Sequence, residues 1–219
     1  MSQLAIITGA SKGLGNALLS SLIELDDFDF VVISRGEGVN YDHPRVRHKA
    51  IDLGSPQEFD WLSAMSSNYD KVVFFNNAGR IQPIGEVGGF GLEEILSGLT
   101  INLLSPLAII NELLSVPDQN LTILNITSGA AKRVIQGWAL YSVGKSGVLT
   151  FMDHLRDIPN VTVADIDPGV LDTDMQAAIR ATDKARFPDL EVFGALHDQG
   201  QLKNPQEVAQ EIIRKHLGK

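Results

Sequence analysis

A chain of 219 residues with a net charge of −9 has the length to bury one substantial core, but it lacks the clustered Lys and Arg that a nucleic-acid surface needs. The absence of cysteine excludes disulfides, thiolate metal sites and thiol catalysis together. With 44% hydrophobic and 21% charged residues the composition is that of a soluble globular enzyme. No apolar run reaches the ~18 residues of a bilayer span, and "MSQLAIITGASKG" lacks a basic leader segment. The expectation is a cytoplasmic protein that binds neither membrane nor nucleic acid. His43, His48, His154, His197 and His216 are scattered without the spacing of a metal site, so no metal is expected.

Along the chain, short apolar runs alternate with longer helical patterns, without internal repeats. "LAIIT" (Leu4–Thr8) reads as a buried strand, followed by a helix over about Gly13–Leu25. "FVVIS" (Phe30–Ser34) is a second strand and "VRHKAID" (Val46–Asp52) a weaker third. A helix over about Gln57–Ser67 leads to a fourth strand in "KVVFF". A long helix near Glu93–Ser115, the strand "LTILNITS", a helix over about Ala139–Arg156 and the strand "VTVADIDPG" follow. This alternation implies parallel strands, right-handed crossovers and helices on both faces. The fold class is therefore α/β: one doubly wound, Rossmann-type domain over residues 1–219, with a parallel sheet of about six strands in the order 3-2-1-4-5-6.

In such a sheet ligands bind beyond the carboxyl ends of the strands, so polar motifs should follow strands. They do: "TGASKGLG" follows the first, "NNAG" the fourth, "TSG" the fifth and "DPGVLDT" the sixth. Glycines at positions 9, 13 and 15 permit a tight turn and let N–H groups at a helix N-terminus approach a pyrophosphate, with Ser11, Lys12 and Leu14 between them. In "WALYSVGK", Tyr141 and Lys145 stand one helical turn apart on the same side. A tyrosine titrates near 10 when unperturbed, and a neighbouring ammonium is expected to pull it down.

The glycine spacing is GxxxGxG. With "TGASKGLG", "NNAG", Asn102, Ser128, "YSVGK" and "PGVLDT" in this order, the sequence resembles the classical short-chain dehydrogenase/reductase family over roughly residues 4 to 175. Ser128 precedes Tyr141 by thirteen residues, as the family pattern requires. The resemblance implies that Tyr141 exchanges a proton with the substrate oxygen and that Ser128 donates a hydrogen bond to it. It implies also that Lys145 holds the nicotinamide ribose and that Asn102 supports a water-linked proton path. Read alone, Ser128 could cap a strand end and Asn102 could be a polar residue inside a helix. Asp52 and Leu53 resemble the family's adenine-contacting pair, although Asp52 is also a turn former before Gly54. Asn77, Ala78 and Gly79 would contact the adenosine side. Pro168, Gly169, Val170, Leu171 and Thr173 would close over the nicotinamide.

At the end of the second strand, where an NAD site usually places an acid, stands Arg35, whose forked donors suit a phosphate. Lys12 adds a second cation, so the cofactor expected is NADP(H). Glu37 is the competing detail, since it could reach the ribose. "PGVLDTDMQ", "GQLKNPQEVAQEII", "EVGGFG" and "INLLSP" resemble sepiapterin reductase and bacterial benzil reductases, which implies reduction of a ketone, often one carbonyl of a 1,2-diketone. The final strand and the pterin-anchoring carboxylate of sepiapterin reductases find no counterpart, so a pterin substrate is not expected. Residues 172–204 read as a substrate lid, or else as a surface excursion. Trp138, Met175 and Gln176 join Ser128 and Tyr141 as substrate-pocket candidates, although Trp138 could equally be a core aromatic. An alcohol dehydrogenase working in reverse and a non-catalytic NADP(H)-sensing protein are the alternatives. The resemblance implies a homodimer through the two longest helices.

Overall fold

The runs "LAIIT", "FVVIS" and "KVVFF" are hydrophobic on both sides, which only a sheet covered above and below can accommodate. A computed structural model describes residues 2–36, 38 and 41–219; Glu37 lies outside the described residues. The strands are β1 (Gln3–Thr8), β2 (Phe28–Ser34), β3 (Val46–Ala50), β4 (Lys71–Asn76), β5 (Asn120–Ile126) and β6 (Val161–Ile166). They lie in the order β3-β2-β1-β4-β5-β6, every pair parallel. The order reverses between β1 and β4, which opens a crevice at their carboxyl ends.

Alternate residues of β1 serve opposite faces. Ala5 and Ile7 meet a layer formed by α1 (Gly13–Ile23) and α8 (Pro205–Leu217), where Leu18, Leu22, Ala209 and Ile213 pack together. Leu4 and Ile6 meet Leu62 of α2 (Trp61–Ser66), Ile109 of α4 (Ser105–Leu114) and Val148 and Met152 of α5 (Ala139–Asp153). Leu4, Ile6, Leu18 and Phe74 are fully buried, and burial of one such side chain stabilises the fold by ~2 kcal/mol. Among the described residues the sheet has six strands and ends at β6, and α8 is the last element.

Two helices depart from expectation. α2 starts at Trp61, because Asp60 accepts a hydrogen bond from Trp61 N at 2.9 Å and so caps the helix there. The long helix near Glu93–Ser115 is interrupted: α3 (Leu92–Leu99) passes into a π-helical turn (Thr100–Leu104) before α4. Pro106, near the start of α4, has no N–H to offer the Asn102 carbonyl, and Ser105 N bonds back to Thr100 O instead. On length and mean hydropathy (1.3) the continuous segment Leu92–Leu114 meets the requirement for a bilayer span, against the expectation that none would. Here it is a core helix, with one side packed on α2 and α5.

Two further features position the cleft. A polar row crosses the sheet: Asn76 Nδ2 donates to Asn125 Oδ1 at 2.9 Å, Asn125 Nδ2 donates to Asp165 Oδ1 at 2.7 Å, and Arg156 closes the row on Asp165. Between β6 and α8 the chain makes an excursion containing α6 (Asp174–Arg180) and α7 (Leu190–Asp198). Its ends are tied together, Lys203 N donating to Val170 O at 2.9 Å and Asp172 N to Lys203 O at 3.0 Å. Phe187 from this excursion is fully buried and stacks on Trp138, with ring centroids 5.1 Å apart and 4° between planes.

Candidate active site

The turn after β1 is shaped by glycine. Gly9 has φ +69°, where a side chain is strained. A Cβ on Gly15 would lie 2.3 Å from Gly9 O and 2.5 Å from Asn77 Nδ2, so α1 can start this close to the sheet only with glycine there. The Ncap residue of α1, Lys12, makes no side-chain cap, which leaves the helix N-terminus open to an anion. Its ammonium instead pairs with Asp174 at 2.8 Å.

From this turn a cleft of about 470 Å³ runs in both directions. Of the residues singled out from the sequence, Gly9, Ser11, Lys12, Gly13, Leu14, Arg35, Asp52, Leu53, Asn77, Ala78 and Gly79 line one part. Ser128, Trp138, Tyr141, Lys145, Pro168, Gly169, Val170, Leu171, Thr173, Met175 and Gln176 line the other. Gly15 and Asn102 do not line it. At one end the Arg35 guanidinium has no hydrogen-bond or ion-pair partner among the described residues. Asp52 both lines the cleft and forms the turn, its Oδ1 accepting from Gly54 N at 2.9 Å. Asn77 Nδ2 donates to Thr8 O at 2.8 Å, which fastens β4 to β1 at the crevice. Thr173 lies over the glycine turn, its Cγ2 3.2 Å from where a Cβ on Gly13 would sit.

At the other end α5 presents Tyr141 and Lys145. Lys145 is 5% exposed. Its Nζ donates to Ile126 O at 2.8 Å and stands 5.9 Å from the Tyr141 ring centroid. Burial lowers the Lys145 ammonium to about 8. Tyr141 departs from expectation. Burial pushes its phenol up to about 12; the Ser128 hydroxyl offsets part of this and the Asp167 carboxylate adds to it. The expected lowering by Lys145 is absent, and desolvation of the buried phenol outweighs the Ser128 hydrogen bond. Ser128 is also a cap: its Oγ accepts from Ala130 N at 3.2 Å, at the start of a short helical turn.

Asn102, 2% exposed in the π-helical turn, is fully engaged. Its Oδ1 accepts from Arg80 N at 3.0 Å, while its Nδ2 donates to Arg80 O at 2.8 Å and to Gly98 O at 3.0 Å. Asn102 Oδ1 and Lys145 Nζ both face the same point beside Gly79, at 3.2 and 3.5 Å from the place of its missing Cβ.

Beyond Tyr141 the wall is apolar. Trp138 is both candidates at once, lining the cleft and being 4% exposed in a cluster with Ile135, Ile179, Phe187 and Phe193. Trp138 Nε1 and Gln176 Oε1 are buried without a protein partner. Sequence reasoning missed Asp167, Arg133, Ile135 and Phe193 in the lining. Asp167 stood in the quoted "DPGVLDT" motif and was legible there; Arg133 and Ile135 are placed by the loop between β5 and α5, and Phe193 by how the excursion folds back.

A family model described as short chain dehydrogenase matches residues 3–184. The chain is similar to a benzil reductase ((S)-benzoin forming) of Bacillus subtilis, 32% identical over 96% of this chain and 92% of that protein. It is similar to sepiapterin reductase of Xenopus tropicalis, 29% identical over 88% of this chain and 82% of that one. Among solved structures, a variant of actinorhodin polyketide ketoreductase with NADPH gives a TM-score of 0.80 at 26% identity, covering 96% of this chain and 88% of that one.

Proposed function

The chain belongs to the short chain dehydrogenase family, and from that premise we propose that it is an NADPH-dependent carbonyl reductase with Tyr141 as the proton donor. One observation carries the reading: Ser128, Tyr141 and Lys145 converge at one end of a cleft whose other end holds the glycine turn and Arg35, which has no ion-pair partner among the described residues. The residues fit a nicotinamide dinucleotide. The uncapped N-terminus of α1 suits its pyrophosphate, and the Arg35 fork suits a ribose 2′-phosphate better than a 2′-hydroxyl. The bound cofactor supplies the hydride that reaches the carbonyl carbon.

The chain supplies the proton and the geometry. A phenol held near 12 stays protonated at neutral pH, which is the form a reduction requires. Tyr141 donates that proton to the carbonyl oxygen, and Ser128 hydrogen-bonds the same oxygen. The Lys145 ammonium favours the phenolate left behind. Asn102, facing Gly79 beside Lys145, holds the amine side of a path that returns the proton.

The similarity to benzil reductase supports a ketone or 1,2-diketone as substrate. The aromatic wall at Trp138 and Phe193 suits an apolar substituent. We read residues 1–219 as one domain whose stretch 172–204 is the lid over this wall. Exposed Leu92, Leu96, Leu104 and Val143, on α3, the π-helical turn and α5, support a homodimer formed through these helices, and we read the protein as cytoplasmic.

Loss of reduced-nicotinamide absorbance with benzil, a simple 1,2-dione and sepiapterin tests the reading, with NADPH and NADH compared. Tyr141→Phe is expected to lower kcat by about 10²–10⁴ while NADPH still binds. Undiminished turnover in that variant would remove Tyr141 from the chemistry.

A further inference from the structure

At the reacting end of the cleft one charged side chain is left without a role. Arg133 lines the cleft, and its backbone N–H donates to Gly129 O at 3.1 Å. Its guanidinium lies over Gly129, with Nε and Nη2 3.4 and 3.5 Å from where a Cβ would stand. Gly129 directly follows Ser128, so this exposed cation lies over the neighbour of the serine that we place against the substrate oxygen.

Among the described residues the guanidinium has no hydrogen-bond or ion-pair partner. None of the carboxylates that share the cleft pairs with it, although Asp167 keeps a charge that acts on Tyr141. Asp167 Oδ1 accepts from Gly169 N at 2.9 Å, Asp52 Oδ1 from Gly54 N at 2.9 Å, and Asp174 is paired with Lys12. Lys145, the other cation at this end, donates to a backbone carbonyl. A chain of net charge −9 repels anions at long range, so one that binds here needs a local counter-charge.

We propose that Arg133 reads an anionic group on the substrate, and that the site takes a keto carboxylate bearing an apolar or aromatic substituent. The carboxylate lies in the Arg133 fork, the substituent against Trp138 and Phe193, and the ketone between Ser128 and Tyr141. Because the guanidinium lies over Gly129, the residue after Ser128, the acid we assign carries its carboxylate near the ketone, as in a 2-oxo or 3-oxo acid. Reduction adds a hydride to the ketone carbon and the Tyr141 proton to its oxygen, giving a hydroxy acid with the carboxylate unchanged. The inference rests on the carbonyl reductase reading only for the place of the ketone.

Benzoylformate and its methyl ester differ in that one charge. Their binding to the NADP-saturated protein is followed by quenching of tryptophan emission, since Trp138 lines the cleft, in wild type, Arg133→Lys and Arg133→Ala. The acid is expected to bind wild type about tenfold to a hundredfold more tightly than the ester. The preference should shrink in Arg133→Lys, which keeps the charge and loses the fork, vanish in Arg133→Ala, and weaken with added salt. Equal binding of acid and ester by wild type, or a preference that survives in Arg133→Ala, would overturn the assignment. Turnover of the ester with NADPH reports separately on the reductase reading. Acid preference without turnover would sink that reading and leave Arg133 in place; turnover without preference would do the reverse.

Discussion

Gly144 lies between Tyr141 and Lys145 on α5, on the side that faces the π-helical turn. A Cβ there would come 2.6 Å from Asn102 Cβ and 3.4 Å from its carbonyl carbon and oxygen, so helix and turn would have to part by about 1 Å. No side-chain rotation of Asn102 relieves this, because its Cβ and carbonyl are fixed to the backbone, and its amide ties that backbone to Arg80 and Gly98. At 2.6 Å the clash belongs at the upper end of overpacking costs, about 2–3 kcal/mol, and Ala recovers about 1 kcal/mol in helix propensity. Gly144→Ala is therefore expected to lose about 1–2 kcal/mol, which lowers Tm by about 2–8 °C for a domain of this size. Because the helix that shifts carries Tyr141 and Lys145, kcat should fall by about tenfold or more with it. Gly147→Ala is the control: its Cβ would meet Leu103 Cδ1 at 2.9 Å, the far end of a flexible side chain, and its Tm should stay level or rise. Thermal unfolding by circular dichroism and NADPH turnover read both variants. Gly144→Ala melting at or above wild type, or Gly147→Ala losing as much, would refute the reasoning.

The buried lysine makes stability depend on pH. Between about 8, its folded value, and 10.5, its ordinary one, the unfolded chain holds more protons at Lys145 than the folded chain does. This group's contribution to stability therefore rises with pH across that window, after being at its least favourable below it. Tyr141 has the opposite sign, its contribution falling as pH rises from 10.0 to about 12. Wild-type stability relative to Lys145→Met should accordingly climb from pH 8 to pH 10; parallel profiles in urea titrations would contradict it. Arg35→Asp should raise KM for NADPH by about tenfold to a hundredfold with little change for NADH. Equal losses with both cofactors would detach Arg35 from phosphate recognition. Phe187→Ala removes a fully buried ring stacked on Trp138, a loss of about 3–5 kcal/mol of packing. Limited proteolysis should then cut first within residues 172–204, and simultaneous loss of sheet and lid would argue against a separately loosened segment.

The sheet was legible because its strands are continuous apolar runs punctuated by glycine and polar turns, as in "LAIITGASKG" and "VVFFNNAG". The motif residues were legible for the related reason that a parallel sheet brings all its strand ends to one edge. The break in the helix near Asn102 was not, since hydrophobic spacing runs through it, although Pro106 marked where a carbonyl would go unmatched. The rise of Tyr141 was hidden for a different reason. Its desolvation comes from cover supplied partly by Trp138, Phe187 and Phe193, residues whose meeting depends on an excursion with only weak periodicity. Arg133 is not legible because an arginine in a loop reads as solvated until its place over Gly129 at the cleft is known.

The row from Asn76 through Asn125 to Asp165 bears on how accurately the cleft can be built. Apolar strands covered on both faces tolerate sliding, since one aliphatic side chain replaces another at similar burial. Here a slide of a single position would strip Asn76 and Asn125, 2% and 1% exposed, of their partners and bury bare amides. Asn77, Ser128 and Asp167 each follow one of these three strands by a residue or two, so the row holds their heights level with one another. One position along a strand is about 3.3 Å, whereas misplacement by about 1 Å can cost a hundredfold in rate. The alignment of three residues that line the cleft is thus decided inside the sheet, by polar side chains that do not line it.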